Sequence, residues 1–290
     1  MAIKRVEIND FLVFKGEFAA DFCHGVNVII GGNATGKTTL LRTLYRDIER
    51  DNGRDIALHR YKERATVIKD NNKIIQNVFI PEKDMLSIAR GLPESYEYAK
   101  TDLLATEIAI IKKARVLPQC PEQPLYRKIC NLLGGEPEHD GQSFFMKRFD
   151  FDEPIPFSSE ASGYRKFALL ALLIRNEQIK FGTVLFWDEP ENSLNPELVS
   201  KLVDILLELA KNGVQMFIAT HDYKFARYFD VRQDKSIPVM FHNLSKNDEG
   251  KIICDSQPKY LELRDNLLES ASEELFDIIV ADAMGVRKNA

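Results

Sequence analysis

Four cysteines in 290 residues, none of them in a Cys-x-x-Cys pair, leave this chain without a zinc-site spacing or a disulfide framework. Cys23, Cys120, Cys130 and Cys254 are expected to be buried free thiols. Long apolar runs are missing as well. The longest, Phe167–Ile174, falls far short of the roughly 20 residues that span a bilayer. Met1–Glu7 has no signal-peptide character, so a soluble cytoplasmic protein with no membrane partner is expected. Positive charge is not in excess: 39 Lys and Arg stand against 44 Asp and Glu, a net charge of −5. That excludes a chain-wide field that draws in nucleic acid or anionic lipid. A local basic groove stays open, but the densest basic cluster, Arg54–Arg64, also carries Asp55 and Glu63 and reads as solvated surface. No heptad is sustained over several turns, which excludes a long coiled-coil arm, and no internal repeat or low-complexity linker occurs.

What is present is a 44% hydrophobic composition, enough for a proper core. Its organising stretch is Gly31-Gly32-Asn33-Ala34-Thr35-Gly36-Lys37-Thr38, which fits Gly-x-x-x-x-Gly-Lys-[Ser/Thr]. The β-branched run Val26–Ile30 precedes it, and Thr39-Leu40-Leu41-Arg42 follows as a helix start. Strand, glycine loop and helix therefore come in the order that a phosphate-binding loop requires. Such a loop turns its N–H groups inward, and with the positive end of the helix they form a nest for phosphate oxygens. Lys37 is expected to reach the β- and γ-phosphates, and the Thr38 hydroxyl to ligate Mg²⁺.

Along the chain, residues 3–11 and 14–20 read as strands, and the loop helix runs from Lys37 to about Glu49, closed by Asn52-Gly53. Ala65–Ile68 and Lys73–Ile80 read as a hairpin about Asp70-Asn71-Asn72. Residues 84–157 are expected to form a helical insert in a single domain covering 1–290, with Gly134–Gly141 as a loop. Ser162-Gly163 opens the strongly apolar helix that contains Phe167–Ile174. Next comes Val184–Trp187, ending in Asp188-Glu189-Pro190: an apolar strand running into two acids, a Walker B pattern. Pro196 starts a crossover helix closed by Asn212-Gly213, and the strand Val214–Ala219 ends at Thr220-His221-Asp222. Pro238–Asn243 and Lys251–Cys254 read as a hairpin, and 260–284 as mostly helical. The fold class expected is α/β, with a mainly parallel central sheet and an antiparallel β portion near the N-terminus.

This order of motifs resembles the ABC-type ATPases over nearly the whole chain. Within them it is similar to the soluble SMC-like, RecF-like and OLD-like branch, most tellingly at Asp188-Glu189-Pro190-Glu191-Asn192-Ser193-Leu194-Asn195-Pro196. The resemblance implies ATP and Mg²⁺ as nucleotide and cofactor. Asp188 would hold the metal through water, Glu189 would activate the attacking water, and His221 would contact the γ-phosphate. Ser162 and Gly163 would close over ATP bound to a second copy in a head-to-tail homodimer, with Ser193-Leu194-Asn195 crossing between the subunits. Glu160-Ala161-Ser162-Gly163-Tyr164-Arg165 departs from Leu-Ser-Gly-Gly-Gln, which argues against a typical transporter subunit. Ser162 also reads as a plain helix N-cap. Gln76 and Glu82 are the two candidates for the metal-sensing glutamine. The resemblance further implies a separate effector, as in bacterial anti-phage and toxin–antitoxin operons. Two alternatives stand beside it: a RecF-like repair ATPase that binds DNA itself, and a transporter's nucleotide-binding subunit.

Overall fold

Three strands with no polar side chain facing out set the centre of the molecule: Val26–Gly31 (β3), Val184–Asp188 (β9) and Gln215–Ala219 (β10) are buried at every position. Continuous burial is what a parallel sheet covered on both faces demands. The computed structural model describes residues 2–53, 64–70, 75–92, 102–118, 122–233 and 235–284. The elements before β3 are Ile3–Phe11 (β1) and Phe14–Asp21 (β2). Between β3 and β9 come Lys37–Asp51 (α1), Ala65–Lys69 (β4), Asn77–Ile80 (β5), Asp102–Ala114 (α2), Pro124–Leu133 (α3), Gly135–His139 (β6), Phe144–Arg148 (β7), Ile155–Pro156 (β8) and Ser162–Arg175 (α4). Pro196–Lys211 (α5) joins β9 to β10, and Tyr223–Arg232 (α6), Val239–Lys246 (β11), Ile252–Gln257 (β12) and Leu267–Ala283 (α7) follow.

The central six-stranded sheet has the order β12-β11-β3-β10-β9-β5, with every pair parallel except β11 with β12. Alternate residues of its strands feed two separate cores, as the period of two requires. Val26, Val28, Ile30, Leu185, Trp187, Met216 and Ile218 face α4, α5 and α6. Ile29, Phe79, Phe186, Phe217 and Ala219 face α1 and the small antiparallel sheet β2-β1-β4. The α/β class, the parallel centre and the N-terminal antiparallel portion are therefore as expected.

Two expectations are corrected. The stretch 65–68 and the described part of 73–80, from residue 75 on, do not pair with each other: β4 lies against β1 in the small sheet, and β5 against β9 at the edge of the central one. Residues 71–74, the expected turn, lie outside the described residues. Gly134–Gly141 is not a loop. Gly134 caps α3 at φ +69, and the chain then enters β6, so residues 84–157 hold the antiparallel sheet β6-β7-β8 as well as α2 and α3. The stretch 260–284 is mostly helical as expected: a 3-10 turn, Tyr260–Glu262, precedes α7, which begins at Leu267. Of the cysteines, Cys23, Cys130 and Cys254 are free thiols, each pushed up to about 11 by burial. Cys120 and nearly all of the basic cluster 54–64 lie outside the described residues.

Candidate nucleotide site

The phosphate loop owes its shape to backbone conformations that few residues accept. Gly31 has φ +142, Ala34 φ +58 and Gly36 φ +91, and the Thr35 hydroxyl donates to the Gly32 carbonyl at 2.9 Å. Gly36 is the N-cap of α1 and supplies no side chain, and the first turn carries no acid. The N–H groups at that end thus keep their capacity for an anion, reinforced by the helix dipole. Lys37 lies folded over the loop, its ammonium donating to the carbonyls of Gly31 (2.8 Å) and Gly32 (3.0 Å). Burial pushes this ammonium below its ordinary pKa, while the carboxylates of Glu189, Asp188 and Glu191 pull the other way. Thr39 sits in the first turn, its carbonyl accepting from the Thr43 hydroxyl.

β9 delivers its carboxylates to the same edge. The Thr38 hydroxyl donates to Asp188 Oδ1 at 3.0 Å, which brings together two residues 150 positions apart. Asp188 is buried, and desolvation raises its carboxyl above the ordinary range against the bond from Thr38. Glu189 turns out of the strand at φ +49, a left-handed conformation that costs a residue with a side chain. Its N–H donates to the Ala219 carbonyl at 2.9 Å, and its Oε1 lies 3.0 Å from His221 Nδ1. Phosphate loop, acids and histidine therefore converge where β3, β10 and β9 end, at the carboxyl edge where open α/β sheets bind ligands.

Ser162 and Gly163 are placed differently. Ala161, not Ser162, is the N-cap of α4, and the Ser162 hydroxyl donates instead to the Ser193 carbonyl at 3.2 Å. The plain-cap reading of Ser162 is thus corrected. A Cβ on Gly163 would stand 3.1 Å from Leu194 Cδ2 and 3.4 Å from Leu198 Cδ1, so a small residue lets α4 lie close to the 193–195 turn. Asn195 is the N-cap of α5, its side chain accepting from the Glu197 N–H. Of the two glutamine-loop candidates, Gln76 donates to the carbonyls of Glu177 and Gln178, at the strand end remote from the acids. Glu82 lies near them, accepting from Asn192 Nδ2 at 2.6 Å.

Lys166, Glu191 and Thr220 escape motif reasoning. Lys166 Nζ donates to the carbonyls of Glu189 (3.0 Å) and Pro190 (3.2 Å) from a site where burial lowers its pKa to about 8. Its signal in the sequence is a cation, next to Arg165, in the first turns of a helix buried nearly all round. Among the described residues no group of three His, Cys, Asp or Glu side chains could hold a metal. The pair Thr38 and Asp188 nonetheless suits Mg²⁺, which is commonly held by one or two carboxylates together with substrate phosphates.

Comparison with known proteins places this geometry. Residues 57–226, more than half of the chain, match the family described as "AAA domain, putative AbiEii toxin, Type IV TA system". The chain belongs to this family. The matched stretch includes Asp188, Glu189 and His221 and begins after the phosphate loop. The arginine transport ATP-binding protein ArtM of Bacillus subtilis is 25% identical over 241 residues, 81% of this chain and 80% of its own. The glutamine transport ATP-binding protein GlnQ of Geobacillus stearothermophilus is 24% identical, with the same two coverages. Among solved structures, the Smc head bound to the C-winged helix domain of ScpA superposes with TM-score 0.58 at 12% identity, over 89% of this chain and 98% of that one. The SMC head domain of Thermotoga maritima gives 0.52 at 14%, over 89% and 99%. This AAA-domain protein is an ABC-type P-loop ATPase, an enzyme of ATP hydrolysis with the fold of the SMC heads. No helix of its described residues is long and apolar enough to cross a membrane.

Proposed function

We propose that this ATPase is Mg²⁺-dependent and that ATP closes two copies head to tail to control a separate effector in bacterial anti-phage defence. The observation that carries the catalytic half is the convergence of Thr38 on Asp188 and of His221 on Glu189 at one strand edge. The loop N–H groups and Lys37 hold the phosphates. Thr38 and Asp188 would hold the metal, which would supply positive charge against the negative charge that develops on the phosphate oxygens. Glu189 accepts the proton of the attacking water, and His221, bonded to it, steers that carboxylate and reaches the γ-phosphate. Lys166 fixes the turn that carries Glu189. Residues 84–157 act as an insert in a single domain spanning 1–290.

Support for an effector comes from the printed description of the family and from α7. That helix buries none of its residues and exposes Leu275, Phe276, Ile278 and Ile279. Glu269, Glu273, Glu274, Asp277 and Asp282 accompany them, with no Lys or Arg over 267–283. Such a face fits an effector with a basic rim around an apolar groove. The relatives that carry transport in their names favour a transporter subunit as the second reading, but the altered signature at Glu160–Arg165 weighs against it.

The test is Glu189→Gln, which keeps the shape of the side chain but cannot take up a proton. ATP binding is expected to persist while turnover falls at least 100-fold, the lower range for a general base. Turnover within about threefold of the parent, a barrier change under ~1 kcal/mol, would remove Glu189 from the mechanism.

A further inference from the structure

Two loops leave neighbouring strands at the site, 188–195 after β9 and 219–222 after β10, and three contacts tie them. Two involve Glu189: its N–H on the Ala219 carbonyl, and its carboxylate beside His221. The third uses two residues to which the motifs assign no role. The Thr220 hydroxyl donates to Glu191 Oε1 at 2.5 Å, with Thr220 fully buried and Glu191 8% exposed.

Both partners are anchored from behind. The Thr220 N–H donates to the Ile29 carbonyl at 3.0 Å, next to the phosphate loop, and its Oγ1 accepts from the Asp222 N–H at 3.0 Å. Asp222 in turn caps α6. The Glu191 carbonyl accepts from the Leu194 N–H at 3.0 Å, inside the turn whose Ser193 carbonyl receives Ser162. The other carboxylate oxygen of Glu191, Oε2, is buried with no hydrogen-bond partner among the described residues. A buried carboxylate with one oxygen unsatisfied is costly, whereas an apolar pair of the same shape in place of Glu191 and Thr220 would be nearly neutral. The charge of Glu191 supports the buried ammonium groups of Lys166 and Lys37, which accounts for an acid at this place but not for its bond to Thr220.

We propose that the Glu191–Thr220 hydrogen bond is a strut that sets His221 against Glu189, locking the histidine's loop to the Ser193–Asn195 turn. Neither residue touches substrate; both are positioning residues, and the inference rests on reading Glu189 and His221 as the catalytic pair. Thr220 directly precedes His221, so displacement of its hydroxyl is passed to the imidazole. A misplacement of about 1 Å can cost ~100-fold in rate. The strut also carries any movement of the 193–195 turn, the segment that crosses to the partner in the proposed dimer, to the group that activates water.

The experiment is steady-state ATP turnover and nucleotide affinity in the full chain. Thr220→Val keeps the volume and removes the hydroxyl. It is expected to lower kcat about 10-fold or more while ATP affinity, read with a fluorescent ATP analogue, stays within about threefold. Thr220→Ser restores the donor and returns most of the turnover, and Glu191→Gln, which keeps an acceptor oxygen, retains more than Glu191→Leu. Because the strut acts through His221, the double variant Thr220→Val/His221→Ala is no slower than His221→Ala alone. A merely structural role would instead multiply the two losses. The proposal is overturned if Thr220→Val turns over like the parent, if Thr220→Ser is as slow as Thr220→Val, or if the double variant is additive. Should Thr220→Val melt below the assay temperature, Glu191→Gln and Glu191→Leu in the His221→Ala background decide the same question. A parent with no ATPase activity, or with activity unchanged by Glu189→Gln, defeats the catalytic reading and the strut with it. An active parent with an indifferent Thr220→Val defeats the strut alone.

Discussion

Asp188 answers two demands that pull against each other, since a metal needs its charge and its surroundings penalise that charge. Burial raises its carboxyl, and the neighbouring Glu189 adds to the shift, while the Thr38 hydroxyl and Arg42 oppose it. A raised carboxyl holds its proton to higher pH than an ordinary aspartate, and only the deprotonated form ligates. Protons should therefore compete with Mg²⁺ as pH falls. The Mg²⁺ concentration for half-maximal turnover is expected to rise as pH falls, and to begin rising at a higher pH than an ordinary aspartate ligand would give. A requirement that rises only where an ordinary aspartate protonates would reject the raised Asp188. Residues of this kind were legible in the sequence, because Lys37, Thr38, Asp188 and Glu189 belong to contiguous motifs with fixed chemistry. Lys166, Glu191 and Thr220 were not. Their partners lie 23 to 29 positions away, and no local pattern announces a bond made only when β9, β10 and α4 pack together.

At the scale of elements, the phosphate loop is shaped as much by β11 as by its own glycines. Gly31 pairs with Leu244, and a Cβ on Gly31 would stand 2.3 Å from the Leu244 carbonyl oxygen, on a backbone at φ +142. A backbone oxygen at a sheet centre cannot swing aside, so Gly31→Ala should cost about 2 kcal/mol or more in urea unfolding. Gly53 is the control, having φ +71 but, among the described residues, no heavy atom within 4 Å of its Cβ. There the loss should stay near 1 kcal/mol, the ordinary cost of a left-handed alanine. Equal losses at the two sites would reject the packing argument. A smaller effect is expected at the start of α5, where Asn195→Ala removes the side-chain cap and should lower stability by about 1 kcal/mol. The elements misread from sequence fail for the same tertiary reason. β4 alternates and β5 is buried throughout, as strands of a half-covered and a fully covered sheet do, but which strand each one pairs with is settled by β1 and β9, not by the turn between them. β6 carries Gly135 and Pro137, residues that speak for a loop, and forms nonetheless as an edge strand, where a missing N–H is tolerated.

For the whole molecule, the arrangement of Ser162 and Gly163 is the point on which the dimer turns. They lie against the 193–195 turn, held by the Ser162–Ser193 bond and the close Leu194 contact, and the start of α4 has no side-chain cap. An uncapped helix start donates to phosphate as readily as the phosphate loop does. A two-fold pairing that sets each helix start over the partner's nucleotide satisfies both sites at once. Ser162→Arg would fill that donor cradle without touching Lys37, so ATP binding should survive while dimerisation and hydrolysis are lost. Lys37→Ala should lose ATP affinity, because it removes the cation at the β- and γ-phosphates. Neither variant alone then turns over. Mixed together, they form one composite site from the intact phosphate loop of the first and the intact α4 start of the second, with partial activity up to about half of the parent's on a site count. Sedimentation of Glu189→Gln with ATP gives the parallel physical test, since a site that binds without turning over should hold the pair together. If Glu189→Gln stays monomeric with ATP and the mixture stays inactive, each site works within its own chain, and Ser162 serves only to pin the 193–195 turn.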